Sequence, residues 1–242
     1  MPIQERAQRT RRRVLVAAAG VFAQRGFARA SMAEILDAAG VTKGALYFHF
    51  PGKEALAKAV VQEQFQNPGF AALDGDGADG DAEAGDPGED GGFGPGAEPP
   101  LDLPPGYGGV QAVVDTAHAF ARRLKDDPIA RGAVRLAIEH GSFAEPDPGP
   151  YLSWIGQVAE LLREARKRGE LLPDVDIDQS AQVLVASFTG VQLVSDVLTH
   201  RADLESKVTA MWRMTLPGLV TESWLERIRP EGLRAAARQA AG

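Results

Sequence analysis

The 242-residue chain is 44% hydrophobic and has no cysteine, so a buried core is available while disulfides, thiolate metal sites and cysteine nucleophiles are excluded. Its formal net charge of −7 argues, taken whole, against a polyanionic partner. The distribution reverses that inference. Residues 1–66 carry 10 Lys and Arg against 5 Asp and Glu, residues 67–109 carry 10 acidic and no basic residues, and residues 110–242 are nearly balanced at 16 against 18. The N-terminal part is therefore a cationic module, and most of the acidity is confined to one insert. The apolar stretch after the basic start is interrupted by Gln24 and Arg25, so no signal peptide or membrane span is expected, and the expected location is cytoplasmic.

In chain order, residues 5–25 predict an amphipathic helix. Val14, Ala17, Ala18, Val21 and Phe22 recur at helical spacing, and Gly26 stops it. Arg6, Arg9, Arg11, Arg12 and Arg13 crowd its first turns, where the helix dipole disfavours cations. Those charges are either a solvated, frayed basic end or contacts to an anion. Ser31 and Glu34 form a capping box for a short helix with Met32, Ile35 and Leu36 on its buried face, ended by Gly40. Thr42 is the N-cap of a second short helix, Lys43 to Phe48. Gly52-Lys53-Glu54 then leads into a helix bearing Leu56, Val60, Val61 and Phe65.

Residues 67–109 contain 13 Gly, 7 Pro and 10 acidic residues, too little apolar surface to offset the entropy of ordering, and are expected to form a disordered loop. Its Gly75, Gly77 and Gly80 fit G-x-G-x-x-G formally, but no strand precedes and no helix follows them. Asp74, Asp76, Asp79 and Asp81 lack the full calcium-loop pattern. Helices return at Val110–Lys125, Pro128 to about His140, Tyr151–Arg168, Asp178 to about Thr199 and Leu204 to about Arg227. A Pro/Gly-rich loop occupies 144–150, Pro217 should kink or divide the last helix, and the tail after Pro230 should fray. The 178–199 segment is apolar almost all round and should be buried on more than one side. No period-2 strand is evident, and the expected fold is all-α.

Residues 31–50 have the parts of a helix-turn-helix, in which one helix braces a second that enters the major groove. Ala33, Ile35, Leu36, Ala39, Val41 and Leu46 supply internal packing, small Ala38 and Ala39 permit close approach, and Gly40 makes the turn. Thr42, Lys43, Tyr47 and His49 project outward beside Gly44 and Ala45. Lys43 and His49 can reach phosphates, Thr42 and Tyr47 can bond phosphate or base edges, and Gly44 admits the backbone closely. Lys53 adds a further phosphate donor, and Ser31 completes the candidate DNA-contacting set.

The run from Ile35 to Phe50, with Phe22-Ala23-Gln24-Arg25-Gly26-Phe27 before it and Gly52-Lys53-Glu54-Ala55-Leu56 after it, resembles the DNA-binding signature of TetR-family repressors. That resemblance implies a three-helix DNA-binding head, a larger helical ligand-binding and dimerisation body, and a homodimer on a pseudo-palindromic operator. It also implies structural roles for Phe48 and Phe50. Gly169-Glu170-Leu171-Leu172-Pro173, Phe188-Thr189-Gly190-Val191-Gln192, Leu216-Pro217-Gly218 and the Pro150 to Trp154 spacing resemble the γ-butyrolactone receptor branch, whose members repress antibiotic and differentiation genes until an autoregulator binds. By that resemblance Trp154 lines the signal pocket, with Gln157 and Thr189 as polar contacts and Gln64 as a fourth. Trp154, Gln157, Val158 and Leu161 do share a helical face, and a hydroxyl at Thr189 within an apolar helix needs a partner. The alternatives are a core tryptophan and a threonine bonded to its own helix.

The resulting organisation is a DNA-binding domain at 1–52, a connecting helix at 53–66, the acidic insert at 67–109, the ligand-binding and dimerisation domain at 110–229 and a flexible tail at 230–242. The long acidic insert departs from the family pattern; one expectation is that it repels DNA and tunes operator affinity. The helices at 178–199 and 204–227 are the expected dimer interface. The expected effector is a butyrolactone, butenolide or furan, with an antibiotic or drug as the alternative. His49, His118, His140 and His200 are scattered without nucleophile–base or metal spacing, so neither an enzyme nor a cofactor or metal is expected.

Overall fold

The computed structural model describes residues 3–66, 107–139 and 148–240. Nearly all of the 67–109 insert, His140 and most of the 144–150 loop lie outside the described residues. Everything described is helical apart from turns and one isolated antiparallel bridge, Leu171 with Val220. The all-α expectation is met.

Helix α1 spans Ile3–Arg29 and packs Val14, Leu15, Ala18 and Phe22 into the core. It breaks at Gly26, whose φ of 72° and ψ of 174° lie outside helical space, before one further turn. Helix α2, Met32–Ala39, begins with the reciprocal capping box of Ser31 and Glu34 and ends at Gly40 in the left-handed region. Such a cap contributes about 1 kcal/mol. Bonding from Ser31 also holds the Glu34 carboxyl below its ordinary value. Helix α3, Lys43–His49, starts at Thr42, whose hydroxyl oxygen accepts from the Ala45 amide at 3.2 Å. Ile35, Ala39 and Leu46 are buried as expected, but Ala33 and Ala38 are exposed. Helix α4 is Lys53–Gln66.

The body comprises α5 (Gly109–Asp126), α6 (Pro128–Ile138), α7 (Gly149–Lys167), α8 (Ile177–Thr199) and α9 (Leu204–Thr215). Pro217 does divide the last predicted helix: α9 gives way to a single 3-10 turn at Leu216–Gly218 and then to the short α10, Glu222–Leu225. Buried Glu170, just past α7, accepts from the Val110 amide at 2.8 Å and so closes the first turn of α5. Burial raises that carboxyl, and the Val110 N–H partly opposes the rise.

Two expectations are corrected. The tail after Pro230 is tied down: His118 Nε2 bonds the Pro230 carbonyl at 2.9 Å and Asp115 Oδ1 accepts from the Leu233 amide at 2.8 Å. Helix α11, Leu233–Ala240, follows. Helix α8 buries Ala181, Leu184, Gln192 and Ser195, yet leaves Val183, Val194, Val197 and Leu198 exposed, the last two at 74%. By length and composition alone it is apolar enough to cross a membrane. Its inner side nevertheless packs on α7 and α9.

The described residues form two hydrophobic cores, and α6 belongs to both. Ile129, Ala133 and Leu136 join the core of the N-terminal head, whereas Ala130 and Val134 join that of the body. Gly132 makes this possible, because a Cβ there would lie 2.6 Å from the Ala19 carbonyl oxygen of α1.

Candidate functional site

The exposed side of α3 carries Thr42, Lys43, Gly44 and Tyr47, with His49 half-buried. The Lys43 ammonium lies 6.0 Å from the Tyr47 ring centroid, so the two side chains form one cationic and aromatic edge. Thr42 has its oxygen on the Ala45 amide, which leaves its hydroxyl proton free to donate outward. Phe50 is buried, as its structural role requires, and the Arg11 guanidinium lies 5.4 Å from its ring. Phe48 is not an anchor. It is 80% exposed and meets the edge of His49, with centroids 5.1 Å apart. An exposed aromatic on the recognition face can contact sugar or a thymine methyl, a role sequence reading missed.

Two of the residues expected to contact DNA are occupied within the head. The Lys53 ammonium donates to the carbonyls of Phe27 at 2.8 Å and Ala30 at 3.0 Å, and sits 4.4 Å from the Phe27 ring centroid. It thus caps the end of α1 rather than standing ready for phosphate. Ser31 is engaged in its capping box. The arginine run divides similarly: Arg13 donates to the Ala39 and Gly40 carbonyls at the helix-turn-helix turn, and Arg12 pairs with Glu63 at 2.9 Å.

In the body, the four residues named for a ligand, Gln64, Trp154, Gln157 and Thr189, line a single cavity with about 830 Å³ of empty space, mouth included. The cavity lies between α5, α7, α8 and α9, with Gln64 of α4 and Val134 of α6 on its wall. One side is aromatic. Phe120 stands 5.5 Å from Trp154 and 5.7 Å from Phe188, while Tyr151 meets Trp154 edge-on at 5.6 Å. Burial raises the Tyr151 phenol above its ordinary value. The Thr189 hydroxyl donates to the Val185 carbonyl of its own helix at 2.8 Å, so it can only accept from a ligand. Gln157 donates to Ser153 at 3.2 Å, and its carbonyl oxygen is buried without a partner among the described residues. Thr116, Phe120, Gln192 and Trp212 also line the cavity and were missed. The spacing of Val113, Thr116, Ala117 and Phe120 on one face of α5 was the available signal.

The head and cavity are joined at one more point. At the end of α6 the Glu139 carboxylate accepts from the Phe27 amide at 2.7 Å and pairs with Arg135 at 2.6 Å. It occupies the space that a Cβ at Gly26 would fill, which ties the break in α1 to the body.

Comparison with known proteins agrees with this division. Residues 14–60 match the family model described as bacterial regulatory proteins, tetR family, and residues 107–221 match the tetracyclin repressor-like C-terminal domain. The chain belongs to the TetR family. Within it, this TetR-family chain is 38% identical to the A-factor receptor protein of Streptomyces griseus, over 100% of this chain and 76% of that one. A solved γ-butyrolactone receptor described as ArpA-like aligns with a TM-score of 0.66 and 28% identity, covering 90% of this chain and 92% of its own. CprB of Streptomyces coelicolor, solved with its operator sequence, aligns with a TM-score of 0.69 and 28% identity over 92% and 94% of the two chains.

Proposed function

We propose that the chain is a cytoplasmic, ligand-gated transcriptional repressor that a small lactone-type signal releases from a pseudo-palindromic operator upstream of secondary-metabolite genes. The observation that carries this reading is the double membership of α4 and α6. Gln64 and Val134 on these helices line the cavity, while Leu56, Val60, Ile129 and Leu136 on the same helices pack in the head. A ligand that moves the cavity wall therefore moves the head.

Two copies pair through the exposed apolar face of α8, with Val183, Val194, Val197 and Leu198, together with Met214 of α9, which is 83% exposed. This pairing sets two α3 helices about one DNA turn apart, about 34–36 Å, so that successive major grooves are filled together. Because both must fit at once, a small change in spacing costs much affinity. Lys43, Thr42, Gly44, Tyr47, His49 and Phe48 form the DNA-facing set, and Lys53 and Ser31 hold the head's shape. Among the described residues no Asp, Glu, Lys, Arg or His lines the cavity, which favours a neutral lactone, butenolide or furan over a cationic drug.

The test is a gel-shift titration on the gene's own upstream DNA, with and without γ-lactones, furans and cationic drugs. Release by the neutral rings alone is expected. Binding that no ligand disturbs, or release by cations only, contradicts the reading.

A further inference from the structure

Buried polar atoms without partners are costly, so a cavity that holds several of them is shaped for what satisfies them. Two side chains of this cavity, Gln192 on α8 and Trp212 on α9, are each 1% exposed, and their Nε2 and Nε1 donors have no partner among the described residues. The Gln192 amide could in principle face either way. Its orientation is set from behind, because Arg201 Nη2 donates to Gln192 Oε1 at 3.3 Å. A guanidinium only donates, so it must face the carbonyl oxygen, and the NH2 group is left as the free end.

Arg201 is itself anchored through its terminal nitrogens. It pairs with Asp196 at 2.9 Å, its side chain is 12% exposed, and it follows His200 in a turn where both residues are left-handed, with φ of 51° and 64°. Left-handed backbone at two successive non-glycine residues is a strained arrangement that the surrounding contacts must maintain. The same device recurs across the cavity, where Arg123 Nη2 donates to Gln64 Oε1 at 3.2 Å.

We propose that Gln192 Nε2 and Trp212 Nε1 form a donor site that reads an acceptor oxygen of an uncharged ligand, the carbonyl of a lactone or ester, and that Arg201 is the positioning residue that fixes the site's polarity. This rests on the ligand-gated reading above and adds to it the recognising atoms and the ligand feature they select. A ligand with a ring of the right size but no carbonyl leaves both donors unsatisfied. Sites built to bond a polar group reject analogues lacking it by far more than apolar pockets reject a missing methylene.

The experiment measures binding to the full-length protein by titration calorimetry, with no DNA present. The probes are γ-decalactone and 2-hexyltetrahydrofuran, which share ring and chain and differ by the carbonyl. Wild type should prefer the lactone by about tenfold or more. Gln192→Glu, of equal shape but presenting an acceptor, and Trp212→Phe, which keeps a ring but deletes the N–H, should each collapse that ratio toward one. Arg201→Met should lower the ratio by freeing the amide to turn, and Arg201→Lys, still a donor, should restore it. A purely structural Arg201 would alter melting temperature without altering the ratio. Equal binding of the two probes, no binding of the lactone to wild type, or a ratio unchanged in both Gln192→Glu and Trp212→Phe overturns the proposal. A lactone bound with the expected preference that fails to release DNA refutes ligand-gated repression instead and leaves the donor site standing.

Discussion

Gly132→Ala probes the joint between cavity and head. The added methyl would meet the Ala19 carbonyl oxygen at 2.6 Å and the Ala19 Cα at 2.9 Å, both backbone atoms with no rotamer to give. Since ordinary contact begins near 3.4 Å, α6 must withdraw from α1 by about 0.8 Å. Overpacking of this kind costs about 1–3 kcal/mol. The gain in helix propensity, about 1 kcal/mol, offsets part of this and leaves a net loss of up to about 2 kcal/mol. In a chain of this size each kcal/mol lowers the melting temperature by about 2–4 °C, giving a drop of up to about 8 °C. Gly20→Ala is the control: it lies in α1, where an added methyl would meet nothing within 4 Å among the described residues, and should stabilise by about 0.5–1 kcal/mol. Thermal unfolding followed by circular dichroism, with operator affinity by fluorescence anisotropy, checks both. Gly132→Ala should melt below wild type and bind operator more weakly even where fully folded, because the head is displaced from the body. If Gly132→Ala melts at or above wild type with unchanged affinity, the close α1–α6 contact does not couple the two units.

Three further outcomes are expected. Phe48→Ala should weaken DNA binding without lowering the melting temperature, because the ring is 80% exposed, and Lys43→Ala should reduce the slope of log affinity against log salt by about one; unchanged salt slopes would remove Lys43 from the interface. Glu139→Ala should release the Phe27 amide, costing about 1–3 kcal/mol, read as faster hydrogen exchange at Phe27; unchanged protection there would show that Glu139 is no latch. Burial lowers the His118 imidazole from its ordinary value near 6.5. The unfolded chain then binds a proton that the folded chain refuses, so stability is full above about pH 6.5 and falls as the pH drops below it. His118→Asn should flatten that part of the profile; an unaltered slope would assign the acid sensitivity elsewhere.

The head was readable because its signals are local. A capping box, a left-handed Gly40 and an N-cap at Thr42 are each decided within four residues, and all three took the expected form. The roles of Lys53 and Phe48 were not local. Lys53 is drawn inward by carbonyls more than twenty residues away, and Phe48 lies on the outer side of a seven-residue helix that is too short for its apolar pattern to declare a face. Trp154, Gln157, Thr189 and Gln64 do converge on one cavity, although the family resemblance, more than periodicity, brought them together. Gln192 and Trp212 escaped notice because an amide or indole within an apolar run reads as core until its partners are known. The dual membership of α6 was equally hidden. Its apolar residues face two ways, and only the crossing at Gly132 shows which meet α1. The anchored tail beyond Pro230 depends on Asp115 and His118, more than a hundred residues earlier.

The measurement that bears most directly on ligand-gated repression is selection of DNA from a random library by the purified full-length protein, followed by anisotropy titration of the selected site with and without γ-lactone. A two-fold symmetric site is expected, with half-sites an integral number of DNA turns apart, affinity that falls steeply with salt, and about tenfold or more weaker binding when the cavity is filled. An asymmetric or unenriched selection, or a symmetric site whose affinity is the same with the cavity filled, would contradict ligand-gated repression.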